Sequence, residues 1–161
     1  MPNLFPEGYE NEVIRPDDLV SNRPIGYKGG ALFDYELGDF ARDGKKQIMN
    51  ADGIESWKAW CVNCMLTQRY KYLGYSTDFG IELDKVFAAP SREAAENILT
   101  RQITEAILAD DYGRCEYIER IDYEWTEPDG VRVRAILHGI EDVTIDVTAY
   151  LTNQGGEENA I

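Results

Sequence analysis

The chain has 161 residues, and its 30 Asp and Glu exceed its 16 Lys and Arg, which gives a formal net charge of −14 at pH 7. This length predicts one domain whose core needs no disulfide or metal staple. Hydrophobic residues make up 43% of the sequence, which excludes a disordered chain, and the acidic excess repels polyphosphate, so we expect no nucleic-acid partner.

The N-terminal residues differ in composition from the rest. Residues 1–30 contain most of the prolines, with Asn, Asp and Gly between them, which disfavours helix and close packing. No signal peptide and no long apolar run is evident, so we expect no membrane contact and folding in a cytosol. The sequence predicts an extended arm over residues 1–30, a domain over residues 31–152 and a mobile tail over residues 153–161.

A hairpin is predicted at the start of the domain. Phe33, Tyr35 and Leu37 alternate with acidic residues, and Asp43-Gly44 separates them from residues 45–49. Alternating apolar and polar residues on either side of such a turn are typical of two paired strands.

Two amphipathic helices are predicted next. Apolar residues between positions 53 and 68 recur at steps of three and four, with Asp52 placed as the N-cap. A second helix begins after its cap, Ser91, and continues to Ile107. The apolar faces consist of Ile54, Trp57, Cys61, Cys64 and Met65 in the first helix, and of Ala95, Ile98, Leu99, Gln102, Ile103, Ala106 and Ile107 in the second.

The last third of the chain predicts a three-stranded antiparallel meander. Its apolar residues fall on odd numbers, in the series 121–125, 131–137 and 143–151, and polar residues alternate with them. One face of this sheet is apolar and needs a cover. The sequence therefore predicts an α+β fold in which the two helices pack on a mostly antiparallel sheet.

The first connection of the meander must contain an odd number of residues, because the apolar side chains of both strands then share one face. Pro128-Asp129-Gly130 supplies three, as a turn that ends in a left-handed glycine. This connection places Tyr123 opposite Ala135 and Glu124 opposite Arg134.

No motif of phosphate, dinucleotide or zinc-protease chemistry occurs, and we expect neither a cofactor nor a metal. Cys61 and Cys64 form a C-x-x-C spacing in mid-helix on the apolar stripe, which predicts buried, reduced thiols rather than a redox couple. With Cys115 and His138 as the remaining soft ligands, no zinc site can be completed. We expect His138 to be solvated on the polar face of its strand.

Paired carboxylates leave a peptidoglycan hydrolase open, because glycoside cleavage requires only two of them in a cleft. Glu116, Glu119, Asp122 and Glu124 lie on or beside one predicted strand, but nothing in the sequence raises the pKa of one of them for acid catalysis. An open-edged meander and a proline-rich arm are typical of protein contacts. A binding module is therefore preferred to an enzyme, with a hydrolase and an unrelated cytoplasmic adaptor as alternatives.

Several segments resemble the sheath-initiator proteins of contractile phage tails, in the branch found in Gram-positive prophages and bacteriocin tails. This family belongs with baseplate wedge proteins historically labelled gene-25-like lysozymes, but the label places no catalytic pair on this sequence. The resemblance covers about residues 31–150. The segments that carry it are residues 33–35, 54–60, 66–72, 75–83 and 101–111, then Arg114 and the meander.

The resemblance implies a structural protein that forms a ring, expected to be sixfold, around the tube at the baseplate of a virion or tail-like particle. The implied partners are sheath, wedge and tube or hub proteins, and strand arms of the first sheath ring complete the sheet. Asp111 and Arg114 match two positions of the family's acidic-Pro-Arg motif, with Tyr112-Gly113 in place of the proline, which implies wedge docking. An ion pair within the chain is an equal alternative for Arg114.

Two further surfaces are candidates for partner binding. The loop between the helices combines Arg69 and Tyr70 with other aromatic residues, a composition found in interfaces and equally in the cover of a core. The strand over residues 143–151 is last in the meander, so its Thr148 and Tyr150 are expected on the edge that accepts a partner strand.

Overall fold

The structure is a computed structural model that describes residues 26–34, 37–126 and 128–153. Within these residues, three helices and seven strands form an α+β arrangement, which confirms the predicted fold class. Residues 1–25 of the predicted arm and the predicted tail beyond residue 153 lie outside the described residues. The elements are β1 (Gly30–Ala31), β2 (Phe33–Asp34), β3 (Asp39–Phe40), β4 (Asn50–Ala51), α1 (Gly53–Leu66), α2 (Leu83–Phe87), α3 (Arg92–Leu108), β5 (Cys115–Thr126), β6 (Gly130–Gly139) and β7 (Thr144–Thr152).

The main sheet is an antiparallel meander in the order β5-β6-β7, as predicted. On β6 and β7 the odd-numbered apolar residues are buried in one core with the helices, and the even-numbered residues other than Gly130 are exposed or partly exposed on the opposite face. A shift of one residue would turn the whole apolar series toward solvent, so the alternation fixes the register. The middle strand, β6, supplies four fully buried side chains: Val131, Val133, Ala135 and Leu137.

The register of the first connection differs from the prediction by one residue on each strand. Thr126 lies opposite Gly130, so residues 127–129 form the connection, and the predicted odd length is confirmed. Both predicted cross-strand pairs are wrong. Tyr123 lies opposite Val133 instead of Ala135, and Glu124 lies opposite Arg132 instead of Arg134.

The cause of this difference is the role of Gly130. Its φ is not left-handed, so it belongs to β6 rather than to the turn. A Cβ at this position would overlap the Tyr150 hydroxyl, which accepts a hydrogen bond from the Thr126 hydroxyl at 3.1 Å. Glycine is therefore required for the close approach of a ring from β7, which no local turn rule reveals.

The long helices begin where the sequence predicts. The side chains of Asp52 and Ser91 accept backbone N–H groups three residues on, at 2.8 and 3.1 Å. α1 ends at Leu66, two residues early, because the backbone of Thr67 is extended, with φ −86° and ψ 127°. The N–H and hydroxyl of Thr67 both donate to the Asn63 carbonyl, at 3.0 and 2.7 Å, which satisfies one carbonyl of the last turn. Ile54, predicted on the apolar face, is exposed.

α2 has no counterpart in the prediction. Its Leu83 and Val86 are buried, one helical turn apart, and Phe87 packs partly against the same core. Five residues are too few for helical periodicity to be distinguished from a loop.

The N-terminal hairpin is present, but its strands are only two residues long and its pairing differs from the prediction. β2 pairs with β3, with Phe33 opposite Phe40, and β1 pairs with β4. Asp34 accepts the N–H of Leu37 at 3.1 Å, and Asp43 accepts N–H groups of its own turn at 2.8 Å. Side-chain bonds of this kind compete with the hydrogen bonds of a strand ladder.

Residues 26–30 contact the domain. The N–H of Gly26 donates to the Tyr112 carbonyl at 3.3 Å, and the Tyr27 ring lies 5.4 Å from the Trp57 ring. The Tyr27 hydroxyl donates to the Ile140 carbonyl at 2.8 Å, and burial raises the pKa of this tyrosine above its ordinary value. The chain therefore enters the domain across the end of the sheet.

We expect Gly130→Ala to lower the free energy of unfolding by about 1 kcal/mol, because the new methyl group must displace the Tyr150 ring. Urea denaturation midpoints test this. In a Tyr150→Ala background the same change will cost much less, and Gly44→Ala, with open space around its Cβ position, serves as the control. Equal costs in both backgrounds would contradict the steric explanation.

The predicted buried thiols are confirmed, since Cys61 and Cys64 are both fully enclosed. Burial raises the pKa of Cys61 well above its ordinary value and that of Cys64 to about 11. Because only the thiolate reacts, we expect an aromatic disulfide reagent at pH 8 to leave both cysteines unmodified until urea unfolds the protein. Rapid labelling of both in native buffer would refute this assignment.

Candidate functional site

β7 presents an uncovered edge. Among the described residues it pairs with β6 and with no strand on its other side. The N–H of Gly139 donates to the Val143 carbonyl at 2.7 Å, and the N–H of Asn153 donates to the Asp129 carbonyl at 3.3 Å. Both bonds involve odd-numbered residues, so the odd positions of β7 direct their backbone groups toward β6. The even positions direct theirs to the open edge: Thr144, Asp146, Thr148, Tyr150 and Thr152.

The side chains beside this edge hold it in place. Thr148 is exposed and Tyr150 is partly buried by its contact with Gly130. Nε of Arg134 donates to both carboxylate oxygens of Asp146, at 2.9 and 3.1 Å. These bonds lower the pKa of Asp146 and raise that of Arg134. The polar face is therefore fixed by cross-strand contacts, and the backbone of the edge is left available.

The opposite edge, on β5, is irregular. Its pairing with β6 shifts register twice, between Cys115 and Tyr117 and between Ile118 and Arg120. At the other end of the strand, side chains reach α3: the Tyr123 hydroxyl bonds Thr100 at 2.7 Å, and Trp125 Nε1 donates to Glu96 at 2.8 Å. Bulges and such a cover oppose the addition of another strand. β7 is the regular edge of the sheet.

Arg114 is paired within the chain. Its Nε and Nη2 donate to the two carboxylate oxygens of Asp110 at 2.7 and 3.0 Å, and both residues are buried, with 3% and 8% exposure. The guanidinium also lies 5.4 Å from the Trp60 ring and 5.1 Å from the Tyr112 ring. Arg114 therefore forms an ion pair within the chain, which is one of the two alternatives predicted for it. Docking on a wedge protein stays a prediction, and it involves the exposed residue Asp111.

Arg69 closes the base of the loop between α1 and α2. Its N–H donates to the Ile81 carbonyl and the N–H of Ile81 to the Thr67 carbonyl, each at 2.9 Å. Nε of Arg69 donates to the Gly80 carbonyl at 2.9 Å, and Nη1 lies 3.6 Å from Glu105. Gly80 has φ +92°, and a Cβ there would lie 2.6 Å from the Thr67 carbonyl oxygen. Arg69 is therefore a buried support, with 8% exposure.

Tyr70 begins the exposed part of this loop, with φ +67° and 64% exposure. Behind it, rings contact one another in sequence, and we call this series the aromatic ladder. Its successive ring centroids are 6.1 Å apart for Tyr72 and Tyr75, 4.5 Å for Tyr75 and Phe79, and 5.7 Å for Phe79 and Trp60, which in turn contacts Arg114.

The aromatic ladder joins two candidates that the sequence analysis treats separately, the loop and Arg114. Phe79, one of the aromatic residues of the candidate loop, and Trp60, which is not among the predicted partner-binding residues, make the connection. Trp60 lies on α1 outside the apolar stripe of that helix. A large aromatic residue at such a position is the feature of the sequence that could have identified it as a candidate. The domain thus has two candidate surfaces, which are the edge of β7 and the loop between α1 and α2.

Few side chains of the described residues are placed for catalysis or for metal binding. Two clefts, of about 210 and 220 Å3, each hold one carboxylate, Asp129 in one and Glu55 in the other. His138 is half-buried rather than solvated, with Nε2 2.5 Å from Glu119 and its ring stacked 4.5 Å from Tyr117. Among residues 26–34, 37–126 and 128–153, no three His, Cys, Asp or Glu are grouped as a metal site.

No helix in the described part of the chain is long and apolar enough to cross a membrane. The family model described as contractile injection system sheath initiator matches residues 30–135 of the chain. The match includes the loop, the aromatic ladder and most of β6, and it ends before β7 begins. No curated protein shows significant similarity to the chain.

We expect Asp110→Asn to destabilise the protein by about 3 kcal/mol, because it leaves the buried guanidinium of Arg114 without a counter-charge. Urea denaturation measures the change. Glu124→Gln removes one partner of the exposed pair with Arg132, joined at 2.8 Å, and will cost less than about 0.5 kcal/mol. Similar costs for the two variants would show that the Asp110–Arg114 pair has no special structural role.

Proposed function

The chain belongs to the contractile injection system sheath initiator family, and from this premise we propose that it nucleates a contractile sheath by β-strand exchange with the first sheath ring. In this proposal the protein is a structural component of the baseplate of a phage tail or tail-like particle. One surface of the protein binds the baseplate, and the β7 edge binds a strand of the sheath. Assembly takes place in the cytoplasm of the bacterial host.

The observation that carries the proposal is the backbone of β7. Five alternate residues, from Thr144 to Thr152, direct their N–H and C=O groups away from β6. An extended chain laid beside β7 satisfies these donors and acceptors in regular alternation, which neither a helix nor a nucleic acid does. A sheath strand that adds here continues the sheet without any change within the domain.

The difference between the β5 edge and the β7 edge supports growth of the sheath in one direction. β5 carries two register shifts and side-chain bonds to α3, whereas the β6–β7 ladder runs without a shift from residue 130 to residue 152. A strand therefore has one regular edge to join. An initiator needs this polarity, because the sheath must extend from the baseplate along the tube.

Docking on the baseplate is assigned to the surface around Asp111 and the loop that begins at Tyr70. These residues lie beside two internal supports, Arg114 and Arg69, which are held by carboxylates and carbonyl groups of the chain itself. The proposed partners are the wedge and the tube or hub, in a sixfold ring. Preorganised supports lower the ordering cost when such a surface binds.

The alternative, a carboxylate-dependent hydrolase, gains no support from the described residues, because neither of the two clefts holds a pair of carboxylates. Such enzymes place two carboxyl groups about 5–9.5 Å apart across a substrate, one of them in an apolar environment. The most buried carboxylate among the described residues, Asp110, is paired with Arg114, and Glu82 contacts Lys85 at 2.8 Å. Positive partners are the opposite of what a general acid requires.

Thr148→Pro tests the proposal. Because the N–H of Thr148 faces the open edge, proline removes no bond of the β6–β7 ladder, and we expect the domain to stay folded. The partner strand loses one donor and meets the proline ring. Electron microscopy of particles that carry the variant will show baseplates and tubes with at least tenfold fewer sheaths.

Thr148→Lys is the matched control, since it changes the same side chain and keeps the N–H. We expect it to assemble sheaths with at most a small loss. Normal sheaths on baseplates that contain the proline variant would refute strand addition at β7. Circular dichroism and urea denaturation of both variants verify that a loss of sheaths does not come from unfolding.

A further inference from the structure

The tip of the loop between α1 and α2 exposes an unusual concentration of large apolar side chains. Tyr70, Tyr72 and Tyr75 are exposed, and Leu73 is fully exposed at 105% of its reference area. These four residues fall within a stretch of six in the sequence. Single exposed hydrophobic residues are ordinary, but a contiguous group of this kind marks an interaction surface.

Hydrogen bonds at the base of the loop hold the tip in place. Two backbone bonds close the base, from the N–H of Arg69 to Ile81 and from the N–H of Ile81 to Thr67, and the Gln68 side chain accepts the N–H of Leu83 at 3.0 Å. Gln102 of α3 adds a further tie, since its Oε1 accepts the N–H of Glu82 at 2.8 Å. A surface that is ordered before binding loses little conformational entropy when a partner arrives.

The aromatic ladder supports the tip from within. Tyr75 stacks on Phe79, and Phe79 contacts Trp60, whose other neighbour is the Arg114 guanidinium. Arg114 is buried and fully engaged by Asp110, so a partner cannot reach it without breaking that pair. Arg114 is in this arrangement a positioning residue, which fixes Trp60 and through it the loop.

The shape and charge of the tip indicate what it fits. Complete exposure of Leu73 means that no other described residue covers its side chain, so this side chain projects from the loop and fits a concave partner. Lys71, whose Nζ lies 5.4 Å from the Tyr72 ring, carries the one charge between residues 70 and 77. A cation beside apolar residues complements a groove with a carboxylate at its rim.

Resting on the proposed baseplate docking, we propose that the loop tip, with Leu73 at its apex, inserts into an apolar groove of a baseplate protein that carries an acidic rim. The contact is thus made by Tyr70, Leu73 and Tyr75, while Arg114 supports it from inside the domain. Aromatic anchors of this type contribute most of the binding energy in many interfaces.

Leu73→Asp tests the inference, with Leu37→Asp as the matched control. Both leucines are highly exposed in turns, at 105% and 79%, so neither change removes core packing. In particles produced with each variant, quantitative mass spectrometry measures the amount of the chain in each purified baseplate. We expect at least a tenfold loss for Leu73→Asp and no change for Leu37→Asp.

The outcomes separate this inference from the proposed function. Normal incorporation of Leu73→Asp overturns the loop contact, and it leaves sheath initiation to be judged by Thr148→Pro. An equal loss for Leu37→Asp also overturns it, because the effect would then come from any exposed aspartate. If the wild-type chain itself is absent from purified baseplates, the proposed function fails.

A photo-crosslinking amino acid substituted for Leu73 identifies the partner. In assembled particles we expect crosslinks to apolar residues of one baseplate protein, with Asp or Glu nearby in the crosslinked segment. Crosslinks to a second copy of this chain, or to the sheath subunit, overturn the assignment. The same amino acid at Leu37 is the control and will give no product with that baseplate protein.

Discussion

A buried arginine must have a counter-charge, and in this domain Asp110 supplies it at the point where α3 ends and β5 begins. The Asp110–Arg114 pair also contacts elements outside the turn in which it lies. The Arg114 carbonyl accepts the N–H of Ile140 at 3.0 Å, which ties the pair to the connection between β6 and β7. Its guanidinium contacts Trp60 of α1. One ion pair therefore joins two helices to the sheet, beside the connection that leads into β7 and the Trp60 ring that contacts the loop.

In the function that we propose, the domain is bound at one end and acts as a template at the other, and the two tasks use different types of contact. The β7 edge offers backbone groups, whose pairing is nearly independent of the partner's sequence. The loop tip offers side chains, above all Leu73 and three tyrosines, whose fit depends on the partner's shape. In this proposal a sheath strand and a baseplate groove bind to different elements of the domain and do not compete.

Edge strands are hazardous because they pair with any extended chain, and the sheet manages its two edges differently. β5 is bulged and carries Tyr123 and Trp125, whose polar atoms bond α3. β7 stays regular over its whole length. The net charge of −14 opposes contact between copies of the chain, which disfavours pairing of two open edges.

Local rules in the sequence determined the α+β class, both helix caps, the meander and the apolar face of every strand in it, because capping and alternation act over a few residues. Only the tertiary structure decided the register at Gly130, since the Tyr150 ring that requires this glycine comes from another strand. The same holds for Arg69 and Arg114. A guanidinium suits a partner protein and an internal carboxylate equally well in sequence, and the choice depends on which groups the packed chain brings within hydrogen-bond distance.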